Sequence, residues 1–122
     1  MSTHDYDIHL DVKHPLGTVI DVGAEAAANE PWFNQTLAQV DEAVVRVGVL
    51  DGDFHWHKHD DQDELFLVLE GSLAVDVQDA PPVTLGPLQA YGVAKGVMHR
   101  TRAIGRTVVL MIERAGVVPT GD

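Results

Sequence analysis

GDFHWHKHDDQDELFLVLEG, residues 52–71, is the stretch that decides the fold of this chain. It places His55, His57 and His59 at alternate positions, and alternate side chains of a β-strand share one face. Four polar residues follow and predict a turn, after which Glu64 begins an apolar run that predicts a second strand. We expect the turn to bring Glu64 back to the face of the histidines. Imidazoles and a carboxylate on one face are typical ligands of a divalent transition metal.

The composition indicates a single acidic domain over residues 1–122. The 19 acidic residues against 8 basic ones give a formal charge of −11, which repels phosphate backbones and argues against a nucleic-acid partner. No apolar run approaches the ~20 residues of a membrane span, and the acidic N-terminus lacks the features of an export signal. The absence of cysteine excludes disulfides and thiol chemistry. We therefore expect a cytoplasmic protein with no membrane partner.

Half of the basic residues lie close in sequence to histidines: Lys58, Lys95, Arg100 and Arg102. Two interpretations are open. These side chains face solvent and balance neighbouring acids, or they form a positively charged rim that attracts a small anionic substrate.

Short apolar or alternating stretches recur along the chain, with a turn about every 6 to 12 residues. We predict strands at residues 6–12, 18–22, 40–50, 55–59, 64–70, 73–78, 83–85, 90–94 and 107–113. A helix of at most two turns is expected within residues 23–30, and Asp51-Gly52 predicts a hairpin turn. Such a pattern is typical of an all-β sandwich or barrel.

Some segments carry a specific expectation about burial. Residues 64–70 are apolar on both sides, which predicts burial on both faces or a subunit contact, whereas residues 73–78 alternate and predict a half-exposed strand. Trp32 and Phe33 are predicted to pack in the interior. Surface positions are expected for His4, His9 and His14, because nothing near them in sequence completes a set of metal ligands.

Later in the chain, His99 follows a turn and adds a third imidazole to His57, His59 and Glu64. Three nitrogens and one oxygen suit Fe, Mn, Ni, Zn or Cu. Four protein ligands in an octahedral field leave two positions for water, dioxygen or a chelating substrate. The pattern thus predicts a centre for one divalent transition metal ion.

The segment around these histidines resembles the first motif of the cupin superfamily. In that motif a glycine precedes His-x-His, three or four residues separate it from a glutamate, and six more lead to a glycine. The matching positions are His57, His59, Glu64 and Gly71. Residues 94–99, AKGVMH, are similar to the second motif, with alanine in place of its proline.

The resemblance implies a conserved double-stranded β-helix, a jelly-roll barrel, over residues 44–113, with an N-terminal extension of edge strands over residues 1–40. It also implies that the ligands are His57, His59, Glu64 and His99. A homodimer is implied, because such extensions often add a strand to the sheet of a partner. Similar single-barrel proteins often carry a mannose-6-phosphate-isomerase-like label, which describes the fold rather than an activity.

Two further residues are candidates for catalysis. On strand parity His55 shares the face of His57, and it is interpreted as a further ligand, a proton-transfer group or a hydrogen-bonded support for the site. Tyr91 is a candidate acid if its hydroxyl faces the cavity, and otherwise a core residue. Phe66 and Val68, on the side of Glu64, are expected to form the apolar wall of a small pocket.

Two classes of function fit these features. The first is a metal-dependent isomerase, lyase or dioxygenase acting on a small sugar-like, keto-acid or enediol substrate through Lewis-acid or dioxygen chemistry. The second is a non-catalytic module that holds a metal or small ligand as a sensor or carrier. A scaffold without metal is disfavoured, because buried histidines and a buried carboxylate are costly when unpaired.

Overall fold

The computed structural model describes residues 6–121 and consists of strands and one short helix. The elements are β1 (Asp7–His9), α1 (Val22–Ala27), β2 (Phe33–Val40), β3 (Ala43–Asp53), β4 (Glu64–Glu70), β5 (Leu73–Val77), β6 (Val83–Leu85), β7 (Ala90–Val93) and β8 (His99–Arg114). The predicted all-β class is confirmed. No helix in this part of the chain is long and apolar enough to cross a membrane.

β8 is the centre of the sheet because it pairs with three other strands. Its first half runs antiparallel to β5, and its second half lies between β3 and β4. The main path is β1-β2-β3-β8-β4-β7, with β6 attached through β5. The path ends at β1 and β7, so the jelly roll is an open sheet and not the closed barrel that the resemblance implied.

The two faces of the sheet carry separate cores. Alternation along β3 directs Leu50 to the inner face, where it joins Phe66, Val75 and Met111. Val47 and Val49 point the other way and pack with α1 and the segment before it. The inner core lies beside the site, because the ring centroid of its Phe66 is 6.2 Å from that of His99.

β4 is buried less evenly than its apolar sequence predicts. Glu64, Phe66 and Val68 are buried on the inner face, while Leu65 is 37% exposed on the other side. Leu69 packs partly against the outer core. Burial on both faces is therefore incomplete in the single chain.

The N-terminal segment lies against its own chain. β1 is parallel to β2, so its hydrogen bonds are made without a partner subunit, and the homodimer stays a prediction. The predicted strand at residues 18–22 is wrong, because Asp21 caps α1: its Oδ1 accepts a hydrogen bond from the Ala24 amide at 3.0 Å. The short helix predicted within residues 23–30 is confirmed, although it begins at Val22.

The histidines near the N-terminus lie away from the predicted centre. His9 contacts Asp7 at 2.6 Å, and His14 contacts Glu25 at 3.2 Å. The hydrogen bond from Lys13, together with that from His14, lowers the pKa of Glu25. His4 lies outside the described residues.

β2 was not predicted, because its sequence FNQTLAQV mixes polar and apolar residues without a strand-like pattern. Two of its polar side chains, Gln35 and Thr36, are nevertheless buried. Gln35 donates to the carbonyl of Asp11 at 2.9 Å, and Thr36 Oγ1 accepts from Arg46 Nε at 3.1 Å. Because both of these side chains form hydrogen bonds, their burial costs little.

One turn prediction and one strand prediction in the central region are wrong. β3 continues through Asp51 to Asp53, and the left-handed Gly52 (φ 94°) lies at a register shift against β8 rather than in a hairpin. The strand predicted at residues 55–59 is reduced to one isolated bridge, in which the backbones of His57 and His99 exchange two hydrogen bonds of 2.9 Å.

β5 is buried on both sides, so its predicted half-exposure is also wrong. Ala74 and Asp76 on the second face are 2% and 8% exposed. Arg100 and Arg102 cover Asp76 and donate hydrogen bonds to its carboxylate. The predicted strands at residues 6–12, 40–50 and 107–113 exist with shifted bounds, and β8 begins eight residues earlier than expected, at His99.

Candidate metal centre

The structure brings His57, His59, Glu64 and His99 together. Each offers one ligand atom, these atoms all lie within 4.8 Å of one another, and all four residues are buried. Glu64 and His99 are the first residues of β4 and β8, and His57 is held beside His99 by the backbone bridge. Pairing between segments that are distant in sequence therefore assembles the cluster.

The distances within the cluster are short. Glu64 Oε1 lies 3.3 Å from His99 Nε2 and 3.4 Å from His59 Nε2. The ring centroids of His57 and His99 are 4.4 Å apart. Nitrogen and oxygen atoms at these separations surround a space of the size that a cation with ligand bonds of ~2.0–2.2 Å requires.

Backbone carbonyls orient two of the imidazoles. His57 Nδ1 donates to the carbonyl of His55 at 3.0 Å, and His99 Nδ1 donates to the carbonyl of Val97 at 2.9 Å. A carbonyl only accepts, so in the neutral ring the proton is on Nδ1 and the lone pair is on Nε2. His57 Nε2 is buried with no hydrogen-bond partner in the described chain, which is costly unless a cation binds it. The residues present thus fit a divalent transition metal.

Charge states in the cluster favour ligation. Burial outweighs the opposing hydrogen bond to the His55 carbonyl and lowers the pKa of His57 to about 4, so this imidazole is neutral at pH 7. Burial alone would raise the pKa of Glu64. Hydrogen bonds involving His59 and His99 outweigh that effect and lower the pKa of the Glu64 carboxyl. The site therefore offers a neutral imidazole at His57 and a carboxylate at Glu64.

Behind the cluster lies a buried pair that the sequence analysis missed. Arg46 Nη1 donates to Glu113 Oε1 at 2.7 Å and to the carbonyl of Val117 at 2.9 Å. Burial, reinforced by the negative charge of Glu64, raises the pKa of Glu113 to about 9. Glu113 is thus protonated at pH 7 and lies opposite the ionised Glu64 in the pairing of β4 with β8. The available signal was a charged residue in each of two apolar strands, VVRVGVL and TVVLMIE.

A cavity opens beside the ligands. Its volume is about 50 Å³, which is room for about three to five waters. His57 and Glu64 line it, and much of the remaining wall is aromatic, including Tyr6, Trp32 and Phe54. Trp32 was predicted only as a packing residue, and no sequence signal pointed to Tyr6 or Phe54.

His55 and Tyr91 do not line this cavity. His55 is exposed: its Nε2 donates to the carbonyl of Thr120 at 2.7 Å, and its ring stacks on Phe54 with a centroid distance of 4.2 Å. Tyr91 lies opposite Phe66 in the β4–β7 pairing and packs against the inner core. Phe66 lines the cavity as expected, whereas Val68 is buried in the core away from it.

The C-terminal segment covers one side of His57. Pro119 lines the cavity, and Gly121 approaches so closely that an added Cβ would lie 2.6 Å from the Cβ of His57. The segment is held by Arg46 at Val117, as described above, and by His55 at Thr120. The C-terminal segment and the candidate ligand His57 are therefore in direct contact.

Three of the four basic residues near the site, Lys58, Arg100 and Arg102, are paired with acids. Lys58 contacts Asp60 at 2.8 Å, and the carboxylate of Asp76 accepts hydrogen bonds of 2.6–2.9 Å from Arg100 and Arg102. The bond from Arg102, with that from Arg100, lowers the pKa of Asp76. For these three residues this agrees with the first interpretation, and an anionic ligand stays a prediction.

The similarity to known proteins covers the region that contains the cluster. The cupin domain family matches residues 43–113. The uncharacterized protein YdbB of Bacillus subtilis (strain 168) is 41% identical over 84 residues, which cover 69% of this chain and 74% of YdbB.

Two crystal structures share the fold. A cupin-2 domain protein from Shewanella frigidimarina is 30% identical, with a TM-score of 0.74, covering 79% of this chain and 94% of that protein. Protein NMB1881 from Neisseria meningitidis is 26% identical, with a TM-score of 0.72, covering 80% and 99% of the two chains.

Proposed function

Because this chain belongs to the cupin family, we propose that it is a metal-dependent enzyme acting on a small oxygenated molecule. One divalent transition metal ion would be held by His57, His59, Glu64 and His99. The observation that carries this proposal is the convergence of four buried ligand atoms within 4.8 Å beside a cavity. The chemistry that such an ion supplies is polarisation of a substrate oxygen or, for Fe or Cu, redox chemistry with dioxygen.

The protein's own groups have distinct parts in this proposal. The carbonyl of His55 orients His57, and the carbonyl of Val97 orients His99. Nε2 of each of these two imidazoles therefore stays available for the ion. Glu113, fixed by Arg46, would support Glu64 from the neighbouring strand. Such supporting hydrogen bonds fix ligand geometry and tune ligand basicity.

Proton transfer has few candidates at the cavity. Burial raises the pKa of Tyr6, so its hydroxyl stays protonated near neutrality and is able to donate but not to accept a proton. His55 would support His57 rather than touch substrate, and Tyr91 has no part in the proposal. Tyr6 is therefore our candidate proton donor.

A second function, non-catalytic binding of a metal or small ligand, is favoured by one observation. In the described part of the chain, the titratable side chains lining the cavity are Tyr6, His57 and Glu64, and the last two are ligands. Isomerisation and lyase reactions commonly need a base that is not a ligand. The mannose-6-phosphate-isomerase-like label has no further support in this arrangement.

Metal analysis of tag-free protein tests both functions. We expect one transition metal ion per chain, and a loss of that ion in His99→Ala. Iron or copper with substrate-dependent oxygen uptake would support dioxygenase chemistry, and zinc, nickel or manganese would support Lewis-acid chemistry. A full metal content without turnover of any tested oxygenated compound would support the binding function. Protein that takes up no stoichiometric metal would overturn the proposal.

A further inference from the structure

The cavity wall is built partly by segments outside the region that matches the family. Of its thirteen lining residues, six lie before residue 43 or after residue 113: Tyr6, Ile8, Trp32, Phe33, Asn34 and Pro119. All four candidate ligands lie between residues 43 and 113. The metal site therefore belongs to the family region alone, whereas the cavity wall is shared between that region and the flanking segments.

Three aromatic rings pack together at the cavity. Tyr6 and Trp32 meet edge to face with centroids 5.6 Å apart, and Phe54 lies 5.1 Å from Tyr6 and 5.7 Å from Trp32. Phe54 also contacts the ring of His57 edge to face at 5.3 Å. Aromatic surface thus continues from the flanking segments to a ligand.

Polar groups in this wall are few, and one lacks a partner. Asn34 lies on β2 opposite Gly48, and its Oδ1 is buried without a hydrogen-bond partner among the described residues. Asn34 also lines the cavity. A buried acceptor in an apolar wall favours a ligand that brings one donor.

We propose that the ligand of this site has a flat apolar body about one ring in size, one oxygenated chelating end and one hydrogen-bond donor that Asn34 accepts. This inference rests on the proposed function. The apolar wall excludes polyhydroxylated and phosphorylated sugars, because their hydroxyls would lose water without gaining partners. The flanking segments, together with Phe54 of the family domain, select this ligand.

Hydroxamic acids with one chelating end and different bodies test the inference. Wild-type protein loaded with Zn²⁺ is titrated calorimetrically with benzohydroxamic, acetohydroxamic and gluconohydroxamic acid, and apoprotein serves as the metal-free reference. We expect the benzo compound to bind on the order of tenfold or more tighter than the aceto compound, because its ring is buried. We expect the gluconohydroxamate to bind no tighter than acetohydroxamate.

The outcomes separate the inference from the proposed function. Equal binding of all three probes to the Zn²⁺ protein would overturn the inference and leave the metal site intact. Tighter binding of the gluconohydroxamate would also overturn it. If the Zn²⁺ protein binds no hydroxamate at all, the cation is inaccessible, and both the proposed function and the inference fail.

The two tryptophans provide a matched pair of variants. Trp32 lines the cavity, whereas Trp56 is 44% exposed with the Arg100 guanidinium over its ring. Trp32→Ala should remove most of the preference for benzohydroxamate while zinc content and acetohydroxamate binding persist, and Trp56→Ala should leave the preference intact. Phe54→Leu gives the same test if Trp32→Ala does not fold. Loss of the preference in Trp56→Ala but not in the cavity variants would contradict the assignment.

The role of Asn34 is tested with probes that carry an added hydrogen-bond donor. At least one of 3-amino- and 4-aminobenzohydroxamic acid should bind wild-type protein more tightly than benzohydroxamic acid does. That gain should disappear in Asn34→Leu. If neither isomer gains affinity, or if the gain survives in the variant, Asn34 does not receive the ligand's donor.

Discussion

Glu113 lies directly opposite Glu64 in the pairing of β4 with β8, and both side chains are buried. Burial, reinforced by the negative charge of Glu64, raises the pKa of Glu113 to about 9 and keeps it protonated while Glu64 is ionised. Arg46 Nη1 donates to Glu113 Oε1 at 2.7 Å. A candidate ligand carboxylate thus has a protonated second carboxyl opposite it on the neighbouring strand.

Replacing Glu113 should weaken metal binding without removing a ligand. Glu113→Ala is expected to lower metal affinity about 10- to 100-fold, the usual effect of losing a group that orients a ligand. Glu113→Gln keeps a neutral donor and should retain most of the affinity. Chelator competition measures both variants. Equal losses in the two would show that a neutral donor at residue 113 is not what matters.

Loss of a ligand should lower metal content and stability together. His57→Ala or His99→Ala should leave well under one ion per chain and reduce the Tm by about 4 °C or more, because binding to the folded state adds to stability. His9→Ala is the control, since His9 contacts Asp7 away from the cluster. Metal analysis and thermal unfolding check this. Full metal content in both ligand variants would refute the ligand assignment.

His55 should prove dispensable for holding the ion. The group that orients His57 is the backbone carbonyl of residue 55, and it persists when the side chain is removed. His55→Ala should therefore keep its metal, measured by elemental analysis. A metal-free His55→Ala protein would place this imidazole among the ligands.

The Asp76 cluster should make stability depend on acid pH. Arg102 and Arg100 lower the folded-state pKa of Asp76, so this carboxylate stabilises the fold above its unfolded pKa near 3.8. That contribution is lost as the pH falls through the lower folded-state value. Asp76→Asn should cost about 1–2 kcal/mol at pH 7 and less at pH 3, measured by urea unfolding. A cost that is the same at both pH values would rule out the charge of Asp76 as its source.

Residue type and spacing were sufficient to find the four residues of the cluster, because His-x-His, a later glutamate and a turn before His99 are visible in the sequence. Strand parity, however, also placed His55 on the face of His57. The structure replaces that strand by a single bridge at His57, so alternation no longer decides where neighbouring side chains point. A periodic pattern is a guide only where a continuous ladder enforces it.

The cavity wall was beyond such reasoning. Tyr6 and Trp32 reach it because β1 lies parallel to β2, a long-range arrangement with no local signature. Similarly, Arg46 and Glu113 lie in apolar strands, and their presence there is explained only by the buried pair that they form. Contacts between segments that are distant in sequence cannot be read from a local sequence pattern.

The close approach of Gly121 to His57 makes the end of the described chain a reporter of the centre. Filling the site would immobilise the imidazole on which this backbone rests, and the residues after Val117 should then resist proteases for longer. Cleavage rates at the tail would in this way register occupancy even before any substrate is identified.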